Sequence, residues 1–572
     1  MLKVLLGYRC SEEGRSNLFE RVLPVGLGYV HAYLRSRGAL AVLANFSLMG
    51  RSRIREILRA ERPDIVGLST FTFNRRATLD LATLVRRTLP EAKIVLGGPH
   101  ATHVGAPILA AHPEIDACVI GEGEITLERY ASTLAEGSDP GAVPGLLLRG
   151  AGGEIRSTGP AEPIADLDAL PFPALYPEGY AVDPLAQYPY VVTSRGCPAK
   201  CTFCSSPEFW GTGVRFRSAR NILDELEHLK ARFGLLYVSF RDDIFTLNKT
   251  RVIDLCRGMI DRRLGLLWDC QTRVNTIDEE RLVWMKRAGA MILQYGIESG
   301  SQPILDRLGK GQTLAQIERA AALTRKVGLV LSVYLIAGVP GETEREVGET
   351  EEMIRRIRPH DGIVTPLAVF PGTSLWDEYR SRAGTDEGFW EEVGRDGVFV
   401  RPERFTEDAI LRLSAALEQA AVESSYRRED YARHREVTGG CAVTDLMEGE
   451  ALERAGDPAG AEALYLDLAR REPWNAWPRL RLGRLAQASD RPAEAEEHFR
   501  AACEIVPASV EAGRLRAKAL RALGRVSEAG AIEAAIGPAR PPAPKPRRGA
   551  ASARGFQSYP LTPSPEGRDA PG

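Results

Sequence analysis

The chain has 572 residues, of which 44% are hydrophobic and 26% charged, and its formal net charge is −2. That length calls for several cores, and the near-neutral balance gives no electrostatic footprint for nucleic acid. Nine scattered cysteines do not make a disulfide scaffold, and no apolar run reaches the about 18 residues that suggest a transmembrane helix. The apolar start at residues 1–7 has no cleavage site and reads as a first strand rather than a signal peptide, so a cytoplasmic protein is expected.

Short apolar strands at residues 3–7, 41–45, 65–70, 93–98 and 117–121 alternate with amphipathic helices at 26–37, 54–60 and 77–87. Buried strands separated by helices predict an α/β fold whose first domain, residues 1–140, is an open, doubly wound (flavodoxin-like) parallel sheet. Such sheets bind ligands at the carboxyl ends of their strands. Ser69-Thr70, Gly97-Gly98-Pro99-His100 and Gly121-Glu122-Gly123-Glu124 fall at those ends, and Gly26 lies in the stretch Pro24-Val25-Gly26-Leu27-Gly28-Tyr29. Glycine there lets a large flat cofactor approach the backbone. No G-x-G-x-x-G follows the first strand, which leaves a dinucleotide reading little support.

Residues 141–187 read as a connector, with a hairpin turn at Gly152-Gly153 and an extended strap at Leu170-Pro171-Phe172-Pro173, long enough for the first domain to cap the next. Residues 188–400 resume the alternation as a partial (β/α)6 barrel, where catalytic groups gather at the C-terminal strand ends. The barrel opens with Tyr190-Val191-Val192-Thr193 and then a loop carrying Cys197, Cys201 and Cys204 in C-x3-C-x2-C spacing. A cubane iron–sulfur cluster normally takes four thiolates, so three on one loop leave one iron open. A closed zinc site needs a fourth Cys or His, and the next candidate, His228, lies far downstream in a helical pattern. Later strand ends carry Asp242-Asp243, Arg273, Glu298-Ser299 and Gly338-Val339-Pro340-Gly341, whereas Cys256 and Cys270 read as small buried hydrophobes.

Residues 401–444 form a helical extension, and in residues 445–537 Ala461, Ala495 and Ala529 recur at a spacing of 34, as do Pro473 with Pro507 and Tyr465 with Phe499. The tail, residues 538–572, has no apolar period and is expected to be disordered.

The cysteine triad, set after a strand and with Phe203 before its last cysteine, resembles the signature of the radical S-adenosylmethionine (SAM) superfamily. The glycine motifs of residues 1–140 resemble the cobalamin-binding domain fused ahead of many such enzymes, as in class B radical SAM methyltransferases, and residues 445–537 resemble tetratricopeptide repeats. The resemblance implies a 4Fe-4S cluster on Cys197, Cys201 and Cys204, with SAM on its open iron. It implies SAM contacts from Phe203, Asp242, Asp243, Arg273, Glu298, Ser299, Gly338 and Pro340, the aspartates meeting the amino group and Arg273 the carboxylate. Cobalamin is expected on Gly26, Ser69, Thr70, Gly97, Gly98, Pro99, His100, Gly121, Glu122, Gly123 and Glu124.

One departure stands out. Where methionine-synthase-like domains carry a cobalt-ligating histidine after the first strand, the stretch at residues 8–14 has none, and His100 is assigned to the cofactor's periphery or to a helix cap. The implied activity is reductive cleavage of SAM to a 5′-deoxyadenosyl radical and methylation of an unactivated carbon of a small-molecule or lipid substrate. The alternatives are a cyclase, rearrangement or oxidation with the same cofactors, and a non-enzymatic cobalamin- or redox-sensing protein. Implied partners are an electron donor such as flavodoxin or ferredoxin and a protein bound through the repeats; the alternative for the repeats is a helical cap that only stabilises the barrel.

Overall fold

The structure is a computed structural model that describes residues 2–10, 18–150, 152–211, 213–392, 398–399 and 403–537, so the expected disordered tail lies outside the described residues. The first sheet is built on β1 (Lys3–Tyr8), β2 (Leu40–Asn45), β3 (Ile65–Ser69), β4 (Lys93–Gly97) and β5 (Ala117–Val119). Helices α1 (Val25–Ser36), α2 (Arg51–Glu61), α3 (Arg75–Thr88), α4 (Pro99–Ala111) and α5 (Gly123–Ala135) alternate with them. The parallel order is β5-β4-β3-β1-β2, with Val4 opposite both Ala41 and Ile65. Strands buried on both faces need continuous apolar runs, and Val4, Leu5, Leu6, Ile65 and Val66 are almost wholly buried. The strand order reverses at β1 and β3, which opens a crevice above their carboxyl ends.

Strands from residues 141–187 extend this sheet at both edges. Strands β6 (Leu146–Arg149) and β7 (Ile155–Ser157) form an antiparallel hairpin on β5, and β8 (Gly179–Tyr180) pairs with β2 at the other edge. Gly153 supplies the turn with φ +88°. The physical reason is edge coverage, because β5 alone would present an unpaired ladder. The strap runs over α1, where Ile164, Leu167 and Leu170 bury against Tyr29.

A second parallel sheet follows, made of β9 (Tyr190–Val191), β12 (Tyr237–Phe240), β13 (Leu267–Thr272), β14 (Ala290–Glu298), β15 (Val330–Ala337) and β16 (Asp361–Pro366) in that order. Between β9 and β12, strands β10 (Ser194–Arg195) and β11 (Arg215–Phe216) pair as a small ribbon. Outward side chains, Phe240, Trp268, Tyr295 and Val333 among them, pack with the covering helices. The alternate positions make a polar inner face. Tyr237 and Ser239 donate to Asp269 at 2.8 and 2.5 Å, while Arg241 and Tyr334 donate to Gln294 at 3.2 and 3.0 Å. Closed barrels fill this space with branched apolar residues; this one keeps it hydrophilic.

After the helix Glu403–Glu423, six helices from Ala442–Arg454 to Val526–Ile536 close the opposite end. Leu236, Leu267, Met291 and Ile292, near the starts of the barrel strands, share one core with Val443, Leu446, Trp477 and Leu480. Arg263 stacks on Trp474 at 4.5 Å. Tyr465 and Phe499 lie against Gly449 and Gly483, where a Cβ would clash at 2.2 and 2.4 Å. Among the described residues no helix is long and apolar enough to cross a membrane.

Candidate active site

The cysteine loop leaves β10 through Gly196, whose φ of +102° suits glycine alone. It is fastened on both sides: Thr202 N–H donates to the Leu308 carbonyl at 2.9 Å, and Leu375 N–H donates to the Thr202 carbonyl at 2.9 Å. Phe203 packs part of its ring into the core shared with the first domain. Burial raises the Cys197 and Cys204 thiols, the latter to about 11, and Asp243 together with the neighbouring thiols pushes the same way. The three cysteines lie near enough to act on one another's thiols, and thiolates are the donors that an iron–sulfide core takes. Among the described residues no set of three His, Cys, Asp or Glu side chains is drawn together for a single metal ion.

The two aspartates expected at SAM part company. Asp242 is buried and fully engaged: it accepts from Thr193 N–H at 2.6 Å, Thr193 Oγ1 at 2.5 Å and Ser194 Oγ at 2.7 Å, and Arg251 lies at 3.5 Å. It pins the strand that feeds the cysteine loop, and both of its oxygens take part in doing so. Asp243 is exposed to the recess and accepts from Ser206 Oγ at 2.5 Å. Burial by the surrounding protein raises its pKa, Ser206 opposes that shift, and Asp242 adds to it.

Arg273 and Glu298 do converge beside the loop. Arg273 Nη1 lies 3.5 Å from Cys201 Sγ, and its Nη2 donates to the Lys310 carbonyl. Lys310 Nζ pairs with Glu298 at 2.5 Å, and both are buried. Glu298 holds φ +61°, a conformation rare for a residue with a Cβ and a mark of functional constraint. Lys310 was not singled out; its signal is its place between Gly309 and Gly311, each at φ +60°. Ser299 is buried, with its Oγ 3.1 Å from Thr350 Oγ1. Gly338, at φ +83°, donates to Glu342 at 2.7 Å in a turn that Pro340 continues.

A cleft of about 420 Å³ lies over the carboxyl ends of the first sheet. Ordinary small-ligand pockets hold about 300–1,000 Å³. Gly26, Ser69, Gly97, Gly98, Pro99, Gly121, Glu122, Gly123 and Glu124 line it as expected, over an apolar base that includes Leu6, Val95 and Leu127. Gly98 sits at φ +95° where a Cβ would meet the Thr70 carbonyl at 2.8 Å. Thr70 and His100 do not line the cleft. Thr70 is wholly buried, its backbone tied to Gly97 and His100, and His100, in the first turn of α4, is buried against Trp390, with Thr72 Oγ1 at 3.2 Å. Burial, aided by Arg75, lowers the His100 pKa to about 3, so it is held neutral. Among the described residues no histidine lines the cleft.

The far wall of that cleft is the cysteine loop itself: Arg195, Cys204, Ser205, Ser206, Phe209 and Trp210. Arg195 is the second residue that sequence reading passed over. It donates to Glu122 and Glu124 at 2.5 Å each, and its signal is the pairing of one cation beside the triad with two acids in the Gly-Glu-Gly-Glu turn.

A family model described as the radical SAM superfamily matches residues 191–354, and one described as the B12 binding domain matches residues 16–131. An uncharacterized methyltransferase of Pyrococcus horikoshii is 32% identical over 362 residues, 62% of this chain and 78% of the relative. An anaerobic magnesium-protoporphyrin IX monomethyl ester cyclase of Rubrivivax gelatinosus is 30% identical over 369 residues, 62% of this chain and 66% of the relative. The radical SAM methyltransferase TsrM of Kitasatospora setae, solved with cobalamin and a [4Fe-4S] cluster bound, superposes with a TM-score of 0.61 at 19% identity over 76% of this chain and 99% of that one. The chain belongs to the radical SAM superfamily, in the group whose members carry a B12-binding domain ahead of the cluster-binding barrel.

Proposed function

We infer that this protein is a cobalamin-dependent radical SAM enzyme that methylates an unactivated carbon of a small-molecule or lipid substrate. One observation carries the reading: a single cleft is lined both by the glycine-rich ends of the first sheet and by Cys204 of the triad. When bound, the cluster and cobalamin supply the electron that splits SAM and the cobalt that carries a methyl group. The chain's own residues do the placing. Cys197, Cys201 and Cys204 are the cluster ligands in this reading. Asp243 receives the SAM ammonium, and Arg273 sits where a guanidinium meets the carboxylate. Glu298, held by Lys310, offers a carboxylate oxygen toward a hydroxyl. Gly97, Gly98, Gly121 and Gly123 let a flat ring lie on backbone, and the apolar base excludes water from it. The polar inner face of the barrel then receives the substrate.

Two relatives described as a methyltransferase and a cyclase keep a second reading open, in which the same cofactors drive ring closure. Anaerobic turnover with SAM labelled in its methyl group separates them: methylation puts the label in the product and leaves S-adenosylhomocysteine, and a labelled SAM pool with unlabelled product sinks the methyl-transfer reading. The C-terminal helices resemble tetratricopeptide pairs, and their shared core with the barrel favours a closing role over partner capture.

A further inference from the structure

We propose that Arg195 is a positioning residue that sets the register between the cluster loop and the cobalamin cleft. It stands two residues ahead of Cys197, so any shift of its Cα carries the triad with it. Its guanidinium spans to the first domain, with Nη1 on Glu122 Oε1 and Nη2 on Glu124 Oε1, each at 2.5 Å. All three side chains are at most 8% exposed. Arg215, on the ribbon strand paired with that of Arg195, adds a second tie to Glu122 Oε2 at 2.6 Å. The guanidinium lies against two rings, Tyr29 of α1 at 5.3 Å and Trp210 of the cleft's far wall at 5.2 Å.

A buried ion pair is poor evidence of stability, because desolvation cancels much of its attraction, and its best-attested use is to specify register. Here the geometry is specific. A planar fork engaged by two carboxylates and two rings fixes direction as well as distance, which a lysine's point charge does not. The two glutamates also line the cleft, so the clamp joins the wall that meets one cofactor to the loop that holds the other. This proposal rests on the two-cofactor reading above.

The test uses the full chain, reconstituted anaerobically with iron, sulfide and hydroxocobalamin, in wild type, R195K and R195M/E122Q/E124Q. The triple variant removes all three charges together, so no glutamate of the clamp is left as a buried unpaired anion, and Arg215, which loses its Glu122 partner, keeps its bond to the Ile164 carbonyl. Iron content and cobalamin affinity are measured first, then the relaxation enhancement that the reduced cluster imposes on the cob(II)alamin electron spin. We expect the triple variant to keep its iron, and because Glu122 and Glu124 line the cleft the spin and product measurements are made at saturating cobalamin. Its spin–spin enhancement should be lost or broadened, and S-adenosylhomocysteine formed per deoxyadenosine should fall on the order of 100-fold, as misplacement near 1 Å produces. R195K should fall between the two. A triple variant with wild-type spin coupling and wild-type product ratio overturns the clamp. A wild-type protein that takes up no cluster or no cobalamin overturns the two-cofactor reading instead.

Discussion

Adjacent carboxylates at one strand end do different work, and substituting each in turn separates pinning from binding. Asp242 accepts three hydrogen bonds at 2.5–2.7 Å and faces Arg251 at 3.5 Å in a fully buried setting. At an effective dielectric of about 20, unit charges at that separation attract by about 5 kcal/mol. Desolvation reduces the net, yet removing one partner of a buried pair still costs about 3–5 kcal/mol because the other charge is stranded. Asp242→Ala should therefore lower the urea midpoint of the barrel markedly and leave the protein unable to hold iron, since Thr193 and Ser194 lead directly into the triad. Asp243→Asn touches only Ser206 Oγ among these partners. It should keep iron content and urea midpoint while weakening SAM by about tenfold, or about 1.4 kcal/mol, from loss of a charge-assisted bond. Urea titration, iron content and equilibrium SAM binding on both variants decide the matter. An Asp242→Ala protein with wild-type stability and iron, but weakened SAM, would refute the reasoning.

Three further outcomes are expected. Cys201→Ala should abolish cluster iron and SAM cleavage while cobalamin still binds, read by iron analysis and cobalamin absorbance. Gly234→Ala places a Cβ 2.3–2.4 Å from the backbone at Ala508 and Ser509 and adds strain at φ +64°; overpacking of about 1–3 kcal/mol should lower the melting temperature and loosen the C-terminal helices to protease. His31, His100, His360 and His434 are held neutral by burial, with pKa values lowered to about 4, 3, 3 and 4. The unfolded chain takes up these protons below about pH 6.5 and the folded chain does not, so their contribution is complete above that value. Stability should then fall from about pH 6.5 toward pH 3–4, and a flat urea midpoint across that window contradicts the assignment.

The parts of the fold that were legible are those written locally. Strands β1, β3 and β4 are apolar on both faces, so their runs are continuous and unmistakable. The triad is a spacing on one loop, and the glycines at Gly97, Gly98 and Gly121 mark strand ends that must stay open. What was missed depends on distant partners. Asp242 and Asp243 are neighbours with the same chemistry, and only Thr193 and Ser194, nearly fifty positions away, decide which is used up. Arg195 gains its role from Glu122 and Glu124 across a domain junction. His100 follows a strand end, where cofactor contacts gather, but Trp390, far along the chain, packs edge-on against its ring. The hairpin turn at Gly152-Gly153 is legible, but a hairpin's sequence does not reveal which sheet edge it covers.

The central claim is that the cysteine loop and the glycine-rich sheet ends serve one reaction space. It is tested most directly by anaerobic reconstitution with SAM and a reductant, with and without cobalamin, and quantitation of both nucleoside products. The account predicts deoxyadenosine that depends on Cys201 and S-adenosylhomocysteine that depends on both Cys201 and cobalamin. Cluster-loaded protein that yields no deoxyadenosine, or S-adenosylhomocysteine that forms equally well without cobalamin, would contradict it.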